Sequence, residues 1–289
     1  MKHITESYAR WQHKQADKMR LTNHKLIRDF LAETLGMIVF VAYSTGVIAQ
    51  AHLYEGAFGI FMDISTGYAA GWALGLFITG SRSPGMCNPC IAFLNMLTGR
   101  LDPLKMLVFW LAELIGSILG ALLVMALYLE KIWEYTNEKD NGVLTMNSTG
   151  VIFTSTANNS TGTLVVGQLV SGMFTFICIL AILDRNNWNL SPFYVILYSA
   201  VAQFLVVNDF SVHSTSILNP AFDFGGRIAL SIGGWGSQPY TYANYSFWIF
   251  LIIPFAGAIL GLVLYELVVG IHLPGAGKDY DEEVIVEAE

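Results

Sequence analysis

Of the 289 residues, 54% are hydrophobic and only 13% are charged, whereas a soluble domain carries about 25% charged residues. That balance excludes an ordinary soluble enzyme and makes a multi-span membrane protein the working class, and 27 glycines against 8 prolines suit close helix packing in lipid. The net charge of −7 does not mark a partner for basic ligands, because Asp279, Asp281, Glu282, Glu283, Glu287 and Glu289 crowd the last eleven residues as a solvated acidic tail.

Along the chain, the first 29 residues hold seven Lys/Arg and no apolar core of signal-peptide length. Residues 1–27 therefore read as a cytosolic tail rather than a cleaved leader, its basic side chains lying against anionic lipid. His3, His13 and His24 within it lack a helical zinc spacing. Six stretches reach the roughly 20 apolar residues that a bilayer crossing needs, at about 28–50, 58–80, 104–129, 163–183, 192–210 and 246–270. An even number of spans returns the C-terminus to the side of the N-terminus. With both inside, 12 of the 15 Lys/Arg are cytosolic, and only Lys131, Lys139 and Arg227 fall outside.

The expected channel domain, 28–272, divides into repeat one (28–129), an extracellular loop (130–162) and repeat two (163–272), followed by the cytosolic tail 273–289. The loop is rich in Asn, Ser and Thr and offers candidate glycosylation sites at Asn147, Asn158 and Asn159. A further triplet at Asn244 lies on the outer side, and one at Asn189 on the cytosolic side where the modifying enzyme has no access.

Two apolar segments, 86–98 and 218–230, are too short to cross. About ten helical residues rise roughly 15 Å, half the hydrocarbon thickness, so each can enter to the midplane and stop, provided protein or a water-filled cavity surrounds it. Each follows the second span of a three-span half, and an odd number of spans per half makes the halves face opposite ways. This is the pattern of an inverted repeat.

Both segments open on Asn-Pro, as Asn88-Pro89-Cys90 and Asn219-Pro220-Ala221. Asn is a favoured helix N-cap and Pro a favoured first helical residue, so both dipeptides read as helix starts. If the half-helices enter from opposite faces, two positive helix ends meet at the midplane and repel cations. The asparagine NH2 groups would then point into a lumen, orient a passing hydroxyl or water oxygen and break the hydrogen-bonded water chain.

These residues resemble the aquaporin superfamily, whose paired Asn-Pro-Ala boxes occupy the same places, over about 30–275. The second half is similar to the aquaglyceroporin (glycerol-facilitator) branch. It shares Asn219-Pro220-Ala221 with Asp223, Phe224, Gly225 and Arg227, then Gly234-Trp235-Gly236, the run Pro254–Gly261 and His272-Leu273-Pro274. The resemblance implies six transmembrane helices plus two re-entrant half-helices in an all-α inverted repeat, and a homotetramer with one pore per subunit in the plasma membrane. It also implies that Asp223 marks the glycerol branch and that Glu33 accepts hydrogen bonds from the backbone leading to a half-helix.

Departures from the family pattern are as informative. Cys90 replaces the Ala of the first box, Met86 stands where His is usual, Gln168 replaces the Glu of the second repeat and Glu113 stands where Gln is common. The residue after the second box is Phe222 in place of the pore arginine. With Tyr68, Val207 and Ser216 at the remaining constriction positions, the selectivity filter is expected to have aromatic walls and no charge.

Other features read structurally. Cys87 and Cys90 lack the partners of a redox or zinc motif. Glu33 and Glu113 are carboxyls within apolar spans, where the resemblance makes Glu33 a support for irregular backbone rather than part of a proton relay, His213 reads as an ordinary loop histidine, and Gly36, Gly116, Gly120, Gly172, Gly257 and Gly261 as close helix crossings. No phosphate loop, nucleophile triad or metal-ligand cluster is present in the sequence, so no enzyme activity, cofactor or nucleic-acid partner is expected. The expected function is passive permeation of water and small uncharged solutes such as glycerol or urea. Two alternatives are a protein of the same fold whose lumen Phe222 and Tyr68 close, and a secondary transporter.

Overall fold

The structure, a computed structural model, describes residues 2–21, 24–80, 85–211 and 217–274. Among them the chain is helical without strands. Repeat one contains α2 (Lys25–Leu53), α3 (Phe61–Thr79), the short α4 (Pro89–Leu97) and α5 (Pro103–Leu127), preceded by α1 (Lys2–Met19). Between the repeats stands α6 (Leu129–Asp140), and repeat two contains α7 (Thr161–Leu183), α8 (Pro192–Phe210), the short α9 (Pro220–Leu230), α10 (Gln238–Tyr245) and α11 (Phe247–Val268).

Helix starts follow from local chemistry. Proline opens α4, α5, α8 and α9, where its missing N–H costs nothing and its fixed φ suits a helix. The residue before each proline is polar: Asn88, Asp102, Ser191 and Asn219. Asp102 accepts from the amides of Leu104 (2.8 Å) and Lys105 (3.3 Å), satisfying donors that the first turn leaves free.

Five helices, α2, α5, α7, α8 and α11 with its extension to His272, are long and apolar enough to cross a membrane. The expected second span is not among these five: α3 carries Asp63, Ser65 and Thr66 in its first turns. Its 19 residues rise roughly 28 Å, and it packs between α2 and α8, so much of its surface faces protein rather than lipid.

The two repeats pack in matching ways. In repeat one α2 lies along α5, and in repeat two α7 lies along α11. Both contacts need glycine. A Cβ on Gly116 would sit 2.5 Å from the Thr34 carbonyl oxygen, and one on Gly257 would sit 3.0 Å from the Cα of Gly172. Lipid tails are as apolar as leucine, so such backbone approach, rather than hydrophobic exclusion, holds the helices together. Each short helix also packs on the other repeat: α4 touches α11, and α9 touches α5.

Two segments read as tail and loop are more ordered than expected. Residues 2–19 are helical, and 129–140 form α6. After α6 the chain buries Leu144, Met146 and 152–156 against the end of repeat two. Trp235 Nε1 donates to the Thr145 carbonyl (3.1 Å) and Gln238 Nε2 to the Leu144 carbonyl (2.9 Å). The acidic residues of the C-terminal tail, Arg82 and His213 lie outside the described residues.

Candidate functional site

The site lies where α4 and α9 begin. Asn88 is extended (φ −160°) and its Oδ1 accepts from the Cys90 amide at 2.9 Å. Asn219 is likewise extended (φ −131°), and its Oδ1 accepts from the Phe222 amide at 3.2 Å. Each side chain is thereby locked as an N-cap with its NH2 directed away from its own helix. Asn88 Nδ2 donates to the Leu218 carbonyl (3.1 Å), and Asn219 Nδ2 donates to the Cys87 carbonyl (2.8 Å). Each asparagine therefore holds the residue just before the other. An amide NH2 has two hydrogens, so one of the pair is committed to this cross-tie instead of both facing a lumen.

The two carbonyls are placed by a matched backbone distortion. Cys87 (φ 46°) and Leu218 (φ 48°) both adopt the left-handed conformation, which costs a non-glycine residue about 1–3 kcal/mol. Neither sequence position announces this, since neither is Gly, Asn or Asp. The distortion persists because neighbours over-determine it. Glu33 Oε1 accepts from the Met86 amide (3.0 Å) and Oε2 from the Cys87 amide (2.9 Å). A carboxylate buried in a span is costly unless it serves such donors. In the corresponding place of repeat two, Gln168 is buried on α7.

Around α4, Trp110 Nε1 donates to the Pro89 carbonyl (3.0 Å), and Asn95 Nδ2 lies 3.4 Å from the sulfur of buried Met86. Cys87 and Cys90 are free thiols, both buried, and Glu113 of α5 is wholly buried. No group of three His, Cys, Asp or Glu among the described residues is arranged to hold a metal ion.

On the α9 side of the junction the walls are aromatic. Phe222 is 0% exposed, and its ring centroid lies 5.4 Å from Phe40 and 5.9 Å from Tyr68. Phe40 also meets Tyr68 (5.1 Å) and Trp72 (5.3 Å) edge-on. The Tyr68 hydroxyl donates to the Ile217 carbonyl at 2.9 Å, so its hydrogen is committed to backbone. Phe40 and Trp72 were not expected here. Trp72 follows Tyr68 by one helical turn, a spacing that could have revealed it, whereas Phe40 reaches the cluster only through the α2–α3 packing.

Val207 is buried on α8 in the same core as Tyr68 and Phe222, and Ser216 lies outside the described residues. On the α4 side a cavity of about 850 Å³ opens between α3, α7 and α8. Trp72, Leu76 and Ile91 line its inner part, and Asp184 and Arg185 are among its polar lining.

The charge next to the second box is fully occupied. Asp223 Oδ1 accepts from Thr154 Oγ1 (2.7 Å) and the Ser155 amide (2.8 Å), and Oδ2 accepts from Arg227 Nε (2.7 Å). Arg227 Nη2 donates to the Ser155 carbonyl (2.9 Å), and Nη1 donates to the Pro239 carbonyl. Arg227, read from sequence as one of three outer cations, is thus 2% exposed and spent on structure. It ties the α6–α7 segment to α9 and α10.

Asn147, Asn158 and Asn159 are all exposed. Asn147 Oδ1 accepts from the Tyr242 hydroxyl at 2.7 Å. Asn159 directly precedes Ser160, the N-cap of α7.

Residues 20–265 match the family described as Major intrinsic protein. Aquaporin-1 of Milnesium tardigradum is 30% identical over 280 residues, covering 94% of this chain and 82% of that protein. Human Aquaporin-9 is 28% identical over 264 residues, covering 89% and 88%. The X-ray structure of the aquaglyceroporin from Plasmodium falciparum shares the fold, with a TM-score of 0.76 at 20% identity, over 84% of this chain and 97% of that one.

Proposed function

Because the chain belongs to the major intrinsic protein family, we propose that it is a multi-pass membrane channel, not an enzyme, through which water and glycerol move down their gradients between the two half-helix starts. The cross-tie of Asn88 to Leu218 and of Asn219 to Cys87 carries this reading. It holds two positive helix ends face to face in a chain whose remaining helices suit lipid. Helices of nine and eleven residues rise roughly 14 and 17 Å, so together they cover a hydrocarbon core of about 30 Å. Two such ends oppose cations while leaving neutral molecules to pass. The uncommitted hydrogen of each NH2 is the donor for a solute oxygen.

On the same reading urea is a further permeant. The filter comprises Tyr68, Val207, Ser216 and Phe222, and Pro89, Cys90, Pro220, Ala221, Asp223, Glu33 and Gln168 support the half-helices. The assembly is a homotetramer in the plasma membrane with both termini cytosolic, contacting lipid around its rim, and glycosylation falls on Asn147, Asn158 or Asn159.

The test is stopped-flow swelling of vesicles holding the purified protein, under gradients of water, glycerol and urea. Water and glycerol rates above protein-free vesicles are the expected result. Rates equal to the lipid background for every solute would overturn the reading. The burial of Phe222 against Tyr68 and Phe40 favours a second reading, a lumen closed at that point, under which Phe222→Leu alone creates flux.

A further inference from the structure

On the channel reading above, with the N-terminus cytosolic, we propose that α1 lies flat in the surface of the cytosolic leaflet, with Tyr8, Trp11 and Met19 at the boundary of headgroups and acyl chains and Arg10, Lys14 and Lys18 on anionic phospholipid headgroups. The helix needs a partner that the chain does not supply. Every side chain from Glu6 to Met19 is exposed except the half-buried Gln15, and no other helix packs closely along α1 among the described residues. An 18-residue helix left alone in water is marginal, and this one has no acidic side chain in its first turn to favour its start. Its place in the chain supplies the bilayer. Only residues 20–24 separate it from α2, the first span, and that link reaches at most about 20 Å, so the C-terminal end of α1 stays near the membrane surface.

The side chains are sorted around the helix. Tyr8, Trp11, Gln15 and Met19 recur at the three- and four-residue spacing that places them on one face, where the rings of Tyr8 and Trp11 stack with centroids 6.0 Å apart. Arg10, Lys14 and Lys18, each four residues from the next, run along one edge of that face. The acids of the helix, Glu6 and Asp17, fall on the opposite side with His13, and Asp17 is engaged by Arg20 at 3.3 Å. Like-charge repulsion is therefore turned away from an anionic surface. Phenol and indole rings suit the interface, where the ring meets apolar chains and the O–H or N–H meets water, and each Lys or Arg near anionic lipid strengthens binding about fivefold. A helix-binding groove on a protein would call for a run of aliphatic anchors, which this face lacks.

The test is nitroxide accessibility in the full-length protein, held in nanodiscs of phosphatidylcholine with or without phosphatidylserine. A Cys178→Ala background removes the exposed thiol and leaves Cys87 and Cys90, which are buried. The label is attached at Gln15→Cys on the aromatic face or at His13→Cys on the acidic face. With phosphatidylserine present, the Gln15→Cys label should be shielded from a water-soluble relaxant and open to oxygen, and the His13→Cys label the reverse. Without phosphatidylserine the Gln15→Cys label should become accessible to water. Arg10→Gln, Lys14→Gln and Lys18→Gln together should lower the bound-to-free ratio about a hundredfold, and Tyr8→Ser with Trp11→Ser should release the helix with its charges intact. Equal accessibility of the two labels, or a triple variant that stays bound, overturns the proposal. Shielding at Gln15→Cys that persists in phosphatidylcholine alone assigns the face to protein instead and also overturns it. The readout is where α1 sits rather than flux, so its failure leaves the channel reading standing, and a failed swelling assay leaves this result unaffected.

Discussion

Asn88 and Asn219 stand 131 positions apart in the chain, yet each donates its side-chain hydrogen bond to the carbonyl of the residue directly before the other. The exchange makes the two half-helix starts one unit, because the carbonyls of the left-handed residues Cys87 and Leu218 each accept a hydrogen bond from the opposite repeat. Asn88→Asp keeps the acceptor for the Cys90 amide, loses the donor to Leu218 and adds a negative charge at the helix ends. The expected outcome is a folded protein about 1 kcal/mol less stable, with a cation conductance absent from the wild type. Thermal unfolding in detergent and ion flux in vesicles measure the two parts. An unchanged melting curve without any cation leak would contradict the assignment.

Glu33 serves two amides with two oxygens. Glu33→Gln leaves one carbonyl oxygen and introduces an NH2 facing a donor, so a buried amide goes unmatched at about 1–3 kcal/mol. The midpoint of thermal unfolding should fall by several degrees, while Thr66→Ala, on an exposed face of α3, should leave it unmoved. A Gln variant as stable as the wild type would show that the carboxylate is not needed there.

Breaking the buried Asp223–Arg227 pair should be more costly still. Arg227→Met strands a carboxylate at 2% exposure, a loss of about 3–5 kcal/mol. Adding Asp223→Asn removes the stranded charge while its Oδ1 still accepts from Thr154 and the Ser155 amide, so the double variant should recover part of the loss. A double-mutant cycle of unfolding midpoints tests this, and strict additivity would argue against a direct pair.

Gly226 and Gly46 give an opposed pair. A Cβ on Gly226 would lie 1.9 Å from the Phe153 carbonyl oxygen, a backbone atom, whereas one on Gly46 meets nothing within 4 Å. Gly226→Ala should abolish the monodisperse folded peak in size-exclusion chromatography. Gly46→Ala, in the interior of α2, should be neutral or stabilising by up to about 1 kcal/mol.

Much of the architecture was legible in the chain. Runs of apolar residues marked the spans, since lipid admits only backbone that satisfies itself. Two Asn-Pro starts marked the short helices, because capping is a local matter of one side chain and the amides beside it. Segment 130–162 was less legible: its polar composition reads as loop, yet it contains α6, and the buried stretch after α6 is held by Trp235, Gln238, Asp223 and Arg227 of repeat two. No local pattern encodes partners so distant in sequence.

What the amino-acid sequence determined by itself is therefore the class, the inverted order of elements and the absence of arginine at position 222, each a property of residue type and spacing. Only the tertiary structure decided which atoms face one another: that each asparagine holds the opposite loop, that the Tyr68 hydrogen is spent on Ile217, and that Phe40 and Trp72 complete the wall around Phe222. The reason is physical. Helix starts and apolar runs are set by interactions within a few residues, whereas the chemistry of the junction comes from groups brought together by packing the two repeats.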